Sequence, residues 1–262
     1  MSKARVIVVG ALGKMGKNAV ETFLLNKDKF ELQAAVVRNM GNVSHENKMF
    51  FQDIGIKLTD NLEAELQSGT VDILVELTTP DSVFVNSKLA LKNGVRPVIG
   101  ATGLTDADIE ELSKLSKKNS IGCILAPNFS IGAILMMKFS AEAAKYMDRY
   151  EIIEKHHEQK LDAPSGTAIK TAKLIAKYAK TANQSSHTEH PSRGQLHYGV
   201  PIHSLRLQGF VASQEVLFGG QGQTLTIKHD TIDRSSFMPG IMFACEKIMS
   251  LNTLVYGLEN LL

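Results

Sequence analysis

The fold is decided near the start of the chain by residues 4–16, which read ARVIVVGALGKMG. The β-branched run 4–9 is typical of a buried strand in a parallel sheet, and residues 14–25 carry apolar side chains at helical spacing. Between them the glycines follow G-x-x-G-x-x-G, with Ala11 where the usual G-x-G-x-x-G pattern has its first glycine. Glycine at such a turn lets backbone amides approach a pyrophosphate. The stretch predicts the first βα unit of a dinucleotide-binding sheet, with a tight turn that binds no ligand as the alternative.

Strand and helix signals alternate from this unit as far as residue 126. Apolar and β-branched runs predict strands at 32–37, 71–77, 95–99 and 121–126, and helical patterns lie between them at 62–67, 81–93 and 105–118. Such alternation is typical of helices packed on a parallel sheet. We therefore expect an α/β fold with an N-terminal, Rossmann-like, doubly wound parallel sheet.

The pattern changes after residue 129, where strands begin to dominate. Helices are predicted at 131–146 and 166–179, strands at 150–157, 202–207, 214–218 and 225–229, and a polar surface loop at 181–198. These signals indicate a C-terminal α+β domain with a mostly open mixed sheet. A last helix at 240–251 and an apolar tail at 254–262 are expected to return to the first domain. The predicted domains are 1–129 with 240–262, which binds the dinucleotide, and 130–239.

Composition excludes several classes of protein. The 262 residues are 44% hydrophobic and 21% charged, as in ordinary globular proteins, and 29 Lys and Arg against 27 Asp and Glu leave a formal charge of only +2. A nucleic-acid partner is therefore not expected. Cys123 and Cys245 lie in apolar runs and are interpreted as buried thiols. No secretory signal or membrane span is recognisable, so we expect a cytoplasmic protein without a membrane partner.

The end of the second predicted strand bears on the choice of dinucleotide. An acidic side chain usually binds the adenine ribose there, but this chain has Val37-Arg38-Asn39. Arg38 could instead pair with a 2′-phosphate, because guanidinium groups bind phosphate through charge-assisted hydrogen bonds. We predict that NADPH binds at least as well as NADH; the alternative is an exposed surface arginine.

Residues 154–167, EKHHEQKLDAPSGT, are the stretch richest in chemistry. Adjacent residues at a strand end point to opposite faces, so one of His156 and His157 can transfer protons while the other makes a different contact. Lys160 adds a cation, and the helix predicted to begin after Ser165 offers free amides to an anion. The stretch predicts a site for a small acid whose imine or ring atom receives a proton. A polar strand end before an ordinary helix is the alternative, and a zinc site lacks the usual ligand spacing.

The same stretch resembles the 4-hydroxy-tetrahydrodipicolinate reductase family, also called dihydrodipicolinate reductase, of bacterial lysine biosynthesis. Residues 154–167 match the family pattern E-x-H-H-x-x-K-x-D-A-P-S-G-T at every fixed position. The resemblance extends to residues 10–16, 100–103, 126–129 and 234–240 and covers nearly the whole chain. Within it, Ala101 stands where the family usually has threonine, and Val37 stands where many members have glutamate.

The resemblance implies a role for each matched position. It makes His156 the catalytic proton donor or acceptor and Lys160 a second catalytic proton donor, and it assigns the substrate carboxylates to His157, Gly166 and Thr167. It assigns the cofactor, NADPH or NADH, to Gly10, Ala11, Leu12, Gly13, Lys14, Met15, Arg38, Gly100, Ala101, Thr102, Ala126, Pro127, Asn128 and Phe129. It further implies a small dicarboxylate substrate, a homotetramer built through the sheet of domain 130–239, and a weaker assignment of Arg234 to a substrate carboxylate.

Two other readings remain open at this point. The chain could be another two-domain NAD(P)-dependent amino-acid dehydrogenase, or a module that binds NADPH without catalysis. Consumption of NADPH with dihydrodipicolinate would distinguish both from a reductase.

Overall fold

The computed structural model describes residues 3–179 and 191–262. In chain order the first elements are β1 (Ala4–Val9), α1 (Lys14–Leu25), β2 (Phe30–Val36), α2 (His45–Asp53), β3 (Lys57–Thr59), α3 (Leu62–Gln67), β4 (Ile73–Glu76), α4 (Pro80–Lys92), β5 (Arg96–Ile99), α5 (Asp106–Asn119) and β6 (Cys123–Leu125). They are followed by α6 (Ile131–Ala143), β7 (Arg149–His156), α7 (Gly166–Tyr178), β8 (Gln195–His197), β9 (Val200–Arg206), β10 (Ala212–Gly220), β11 (Gln223–Thr231), α8 (Met238–Ile248) and β12 (Leu254–Tyr256).

The chain divides into two compact units. The first comprises residues 1–129 together with 237–262, and the second comprises residues 130–236. The return to the first unit thus begins three residues before the predicted residue 240, because the helix predicted to start there already starts at Met238. That helix and β12 complete the first unit.

The first unit is built on a seven-stranded parallel sheet with the order β12-β6-β5-β4-β1-β2-β3. The order reverses between β1 and β4, and parallel sheets bind ligands beside the carboxyl ends of the strands at such a point. The middle strands are fully buried: Ile7, Val8, Leu74 and Val75 have no exposed surface. Continuous apolar runs of this kind are expected of a strand covered on both faces, and they explain why the sheet is predictable from the sequence.

Two short strands and one helix of this unit were missing from the sequence prediction. The strand β3 has three residues with no fully buried side chain, and α2 buries only Phe51, so neither carries a strong hydrophobic period. The third element, β12, lies inside the stretch predicted only as an apolar tail, and it pairs parallel with β6. The two edge strands, β3 and β12, are specified by their pairing with β2 and β6.

The second unit contains a five-stranded mixed sheet with the order β11-β10-β7-β9-β8. Only the β7–β9 pair is parallel. The predicted surface loop 181–198 is wrong at its end, because residues 195–197 form the edge strand β8 and Tyr198 and Gly199, both with positive φ, turn the chain into β9. Its earlier part, with His187 and His190, lies outside the described residues.

One face of this sheet packs against α6 and α7, and its character changes along the strands. At one end the covered face is apolar, with Tyr150, Ile152, Ile202, Val216 and Phe218 in the core. At the other end the same face carries Glu154, His156 and Arg206 on β7 and β9, and Gln214 on β10. Gln214 donates from Nε2 to Oγ1 of Thr171 on α7 at 2.8 Å. The sheet therefore ends in a polar, partly buried cluster where β7 runs into the loop before α7.

Candidate active site

The glycines after β1 are required by the packing of the turn. Gly10 has φ +81°, and a Cβ there would lie 2.7 Å from the carbonyl oxygen of Leu77. A Cβ on Gly16 would overlap the Gly10 carbonyl, and the amide of Gly13 donates to that same oxygen at 2.9 Å. Because Gly10 and Gly16 have no side chains, α1 can begin close to β1, as a phosphate-binding turn requires.

An open cleft of about 460 Å³ lies beside this turn. Its walls come from the glycine turn, from the ends of β2 and β3, and from the start of α4; among them are Gly10, Leu12, Gly13, Arg38, Asp60 and Asn86. The cleft thus lies where β1 and β4 end, at the reversal of strand order. Its position and its exposed backbone fit a dinucleotide.

Arg38 lines this cleft and lies in a loop that is held by two side-chain oxygen acceptors. The carboxylate of Asp60 accepts the Met40 amide at 2.9 Å, and Oδ1 of Asn39 accepts the Gly41 amide at 2.7 Å. Asp60 follows β3, which pairs with β2, so it lies beside Arg38 although 22 residues apart in sequence. The sequence prediction missed Asp60 because β3, the strand that precedes it, is too short to recognise.

A buried carboxylate supports the opposite wall of the cleft. Glu76, with no exposed surface, accepts hydrogen bonds from the amide and hydroxyl of Thr78 and from Nδ2 of Asn86 at 3.0 Å. Burial raises the pKa of Glu76, and these hydrogen bonds act against the rise. Glu76 therefore orients two polar side chains that line the cleft.

Within the glycine turn and the first turn of α1, three residues predicted to bind the cofactor do not line this cleft. The Ala11 side chain is fully buried and its amide donates to the carbonyl of Val36 at 3.2 Å, so Ala11 has no free donor. Lys14 is exposed and Met15 is half-buried on the first turn of α1. Ala11 supports the turn by packing.

The remaining predicted cofactor residues follow β5 and β6 at the same edge of the sheet. The Gly100 amide donates to the Glu76 carbonyl, and the Ala126 amide donates to the Ile99 carbonyl, both at 2.9 Å. A Cβ on Gly100 would collide with the ring of Phe129, which is 4% exposed. Ala101 is half-buried and Thr102 is exposed. These segments continue the ligand-binding edge beyond the 460 Å³ cleft.

In the second unit, the predicted acid–base residue His156 is the last residue of β7 and belongs to a hydrogen-bonded cluster. Its Nδ1 lies 2.5 Å from Oε2 of Glu154, which has no exposed surface. Arg206, opposite His156 on β9, donates to both oxygens of Glu154 at 2.8 and 2.9 Å. The Ser165 amide donates to Oε1 of Glu154 at 3.2 Å. Glu154 thus links β7, β9 and the start of α7.

This cluster keeps Glu154 ionised. Burial alone would raise the pKa of Glu154, but hydrogen bonds from His156, Arg206 and Ser204 outweigh it and lower the pKa to about 2. Sequence reasoning included Glu154 in the matched pattern without giving it a role, and it gave Arg206 none. The detectable signal was the carboxylate two residues before a candidate histidine on the same strand face.

The other predicted substrate residues surround the loop from β7 to α7. Lys160 donates from Nζ to both oxygens of Asp162 at 2.7 and 2.8 Å, and this lowers the pKa of Asp162. His157 follows β7, and its Nδ1 is buried without a hydrogen-bond partner among the described residues. Gly166 and Thr167 form the first turn of α7, where Oγ of Ser165 caps the Ala168 amide at 3.2 Å. The first-turn amides of a helix have no acceptor within it.

Cys123 and Cys245 are free and fully buried, as predicted, and burial raises the pKa of both thiols. In residues 3–179 and 191–262 no group of three or more His, Cys, Asp and Glu side chains is arranged to hold a metal ion. Over the same ranges no helix combines the length and the apolar character that a membrane crossing requires.

Arg234, given a weak substrate role by the resemblance, lies in a short 3-10 helix, residues 234–237.

The dinucleotide-type sheet, its glycine turn and the separate mixed sheet define the class of two-unit oxidoreductases that use a nicotinamide cofactor. The chain belongs to the dihydrodipicolinate reductase family. The model for the N-terminus of dihydrodipicolinate reductase matches residues 4–129, and the model for its C-terminus matches residues 132–262.

Relatives and solved structures agree with this membership. The chain is 50% identical to a 4-hydroxy-tetrahydrodipicolinate reductase of Lysinibacillus sphaericus, over 98% of this chain and 99% of the relative. It is 49% identical to one of Desulfitobacterium hafniense over the full length of both. A dipicolinate-bound dihydrodipicolinate reductase structure from Paenisporosarcina sp. TG-14 has a TM-score of 0.87, 44% identity and complete coverage of both chains. A dehydrogenase from Clostridium difficile, at 15% identity and TM-score 0.68, shares the fold alone.

Proposed function

We propose that the protein reduces 4-hydroxy-tetrahydrodipicolinate, or the dihydrodipicolinate formed by its dehydration, to tetrahydrodipicolinate with NAD(P)H in the diaminopimelate pathway of lysine biosynthesis. The observation that carries the proposal is the folded arrangement of residues 154–167. A histidine bound to a buried carboxylate, a lysine and the free end of a helix all come from this one segment. Together they offer a proton donor and several groups for anionic oxygens.

When bound, the nicotinamide cofactor supplies a hydride to C4 of the conjugated cyclic imine, whose electron pair moves toward the ring nitrogen. His156 provides the proton required where this charge arrives, as histidine can near neutral pH. The amides of Gly166 and Thr167 hold one carboxylate at the start of α7, where the helix dipole favours negative charge. Lys160 neutralises the dianion and is the second group from which the one proton consumed by the reduction can come, and His157 binds a carboxylate.

The cofactor site is assigned to the glycine turn, the 460 Å³ cleft and Arg38. Gly10, Leu12 and Gly13 line the cleft, where the glycines let the pyrophosphate approach the start of α1, whose first-turn amides have no acceptor within the helix, and the exposed Arg38 could pair with a 2′-phosphate. We therefore expect NADPH to bind at least as well as NADH. The neighbouring carboxylate of Asp60 offers an acceptor for the ribose hydroxyl of NADH.

We expect a homotetramer that acts in the cytoplasm, assembled through the second unit's sheet. One face of that sheet packs on α6 and α7. On the opposite face, where no helix of this unit packs among its described residues, Ile153 and Leu217 are half-buried beside a depression of about 620 Å³. Apolar side chains on an open sheet face are typical of a surface covered by another subunit.

One assay separates the proposed activity from the two alternatives. The absorbance of NADPH is followed with dihydrodipicolinate freshly made by the preceding synthase, and then with added 2,6-pyridinedicarboxylate as a planar dianion. We expect consumption that the dianion inhibits competitively with the ring substrate. Consumption with an amino acid or oxo acid instead would indicate another dehydrogenase, and binding of NADPH without consumption would indicate a non-catalytic module.

A further inference from the structure

Glu154 is the centre of the cluster at the end of β7, and its environment is unusual for a carboxylate. It has no exposed surface, yet at least four donors surround it: Nδ1 of His156, two guanidinium nitrogens of Arg206 and the Ser165 amide. A buried carboxylate persists as a charge only when it is paired and hydrogen-bonded in this way.

The arrangement determines which ring nitrogen of His156 carries hydrogen. An ionised carboxylate accepts hydrogen bonds and cannot donate one. The contact between Oε2 of Glu154 and Nδ1 of His156 therefore requires hydrogen on Nδ1. In the neutral imidazole this leaves Nε2 as the nitrogen with a free electron pair.

Arg206 holds the carboxylate in this orientation. It contacts both oxygens of Glu154 and also donates to the Asp162 carbonyl at 2.7 Å, in the loop that carries Lys160. A guanidinium bound to both oxygens fixes the plane of a carboxylate. The side chain of Glu154 therefore cannot rotate away from His156 without breaking an ion pair.

We propose that Glu154, held by Arg206, is a positioning residue that keeps hydrogen on Nδ1 of His156, so that Nε2 is the atom that takes up a proton from solvent and, as part of the imidazolium, gives it to the substrate ring. The inference rests on the proposed role of His156 in the reduction. It assigns to Glu154 a function beyond stabilising the sheet, although Glu154 itself need not touch the substrate.

The variant Glu154→Gln tests this tautomer selectively. Each oxygen of Glu154 accepts from at least two donors, so the amide nitrogen of a glutamine, in either orientation, faces donors. With the amide nitrogen toward His156, the imidazole must accept through Nδ1 and move its hydrogen to Nε2. The opposite orientation would turn the amide nitrogen toward two donors that cannot accept, Nη2 of Arg206 and the Ser165 amide, so the orientation toward His156 is favoured.

The experiment reads the His156 tautomer by long-range proton–nitrogen NMR of the full-length protein, with the resonance assigned by its absence in His156→Gln. We expect the Nδ1–H form of the neutral imidazole in the wild type, and a shift toward Nε2–H in Glu154→Gln. We also expect kcat to fall on the order of 100-fold in this variant, within the range of acid–base effects, while the dissociation constant for NADPH is unchanged.

The matched control is Glu215→Gln, which removes the carboxylate that pairs with Lys155 at 2.5 Å on β10. It should change neither the tautomer nor kcat. An Nε2–H tautomer in the wild type overturns the proposal even if Glu154→Gln does not fold. So does a folded Glu154→Gln with the wild-type tautomer or with wild-type kcat. A wild type that does not turn over the ring refutes the proposed reduction instead, whatever the tautomer.

Discussion

The chemistry of single residues in the second unit depends on how their charges are paired. The carboxylate of Glu154 has no exposed surface beside the partly buried Arg206 and His156, whereas that of Asp162, the partner of Lys160, is 62% exposed. An exposed ion pair contributes little to stability because water screens it. Lys160 is therefore free to exchange Asp162 for an anionic ligand, while Glu154 is not free to exchange its partners.

Replacement of Lys160 by alanine separates catalysis from folding. We expect kcat to fall by about 10²- to 10⁴-fold, the usual contribution of a positioned acid or base, with little change in melting temperature. The matched control is Lys173→Ala, an exposed lysine on α7. Steady-state kinetics that show equal activity in both variants would exclude Lys160 from the reaction.

Arg38 is the residue that we expect to govern the preference between the two cofactors. Because a charge-assisted hydrogen bond is worth about 1.5–3 kcal/mol, Arg38→Ala should raise KM for NADPH by roughly 10- to 100-fold. KM for NADH should change little, since NADH lacks the 2′-phosphate, and it serves as the internal control. An unchanged ratio of the two constants would show that Arg38 is only an exposed surface arginine.

The buried carboxylate also makes stability depend on pH. The pKa of Glu154 is lowered from 4.5 to about 2, so its stabilising contribution is complete above about pH 4.5 and is lost as pH falls toward 2. Between pH 7 and pH 3 this amounts to roughly 2 kcal/mol of unfolding free energy. Denaturant titrations should show that this part of the acid destabilisation is absent in Glu154→Gln; equal pH dependence in both proteins would contradict the assignment.

At the scale of elements, α7 is the helix whose start bears most directly on function. Ser165 caps it, Glu154 holds the Ser165 amide, and the helix begins at Gly166. Of the first-turn amides, those of Gly166 and Thr167 are the ones assigned to a substrate carboxylate. In the proposed function, the helix contributes an anion site whose first turn is held by the same carboxylate that contacts His156.

Gly166→Ala distinguishes a ligand site from an ordinary helix start. A Cβ on Gly166 meets no atom within 4 Å, and its φ is not positive, so the folded protein accommodates alanine. Stability should be unchanged or raised by up to about 1 kcal/mol, while KM for the ring substrate rises because the methyl group occupies space next to the carboxylate. Unchanged KM in steady-state assays would remove Gly166 from the substrate site.

The strands and helices with a strong hydrophobic period were predictable, and the ones at sheet edges were not. Ala4–Val9 and Lys14–Leu25 have the predicted bounds because a buried parallel strand, a glycine turn and an amphipathic helix follow in immediate succession. The strands β3 and β8 have three residues each and exist through pairing with β2 and β9. Asp60 was missed for this reason. Arg206 was missed because its partner Glu154 is 52 residues away, and a single sequence does not reveal such a contact.

At the scale of the whole molecule, the second unit presents a sheet with two different faces. The face toward α6 and α7 carries the apolar core and the Glu154 cluster. The opposite face carries ion pairs, such as Lys155 with Glu215, around the half-buried Ile153 and Leu217. We propose that this division lets the same sheet hold the reactive side chains at one end and offer an assembly surface on its other face.

Leu217→Lys tests this assembly surface. Leu217 lies opposite Glu151 on β7, so a lysine there has a carboxylate nearby and the unit should fold. If position 217 is buried between subunits, the charge of this lysine would destabilise the assembly. Light scattering should give a wild-type mass four times that of the 28.6 kDa chain and a lower mass for the variant. A tetramer that persists in Leu217→Lys would place the interface elsewhere.

Transfer of labelled hydride tests the proposed reduction most directly. The protein is incubated with synthase-generated dihydrodipicolinate and NADPH that carries deuterium at both C4 positions of the nicotinamide, and the ring product is examined by mass spectrometry and NMR. We expect tetrahydrodipicolinate with one deuterium at ring C4, formed by the wild type and far more slowly by His156→Ala at equal NADPH occupancy. Unlabelled product, label at another ring atom, or no product from the wild type would contradict the reduction we propose.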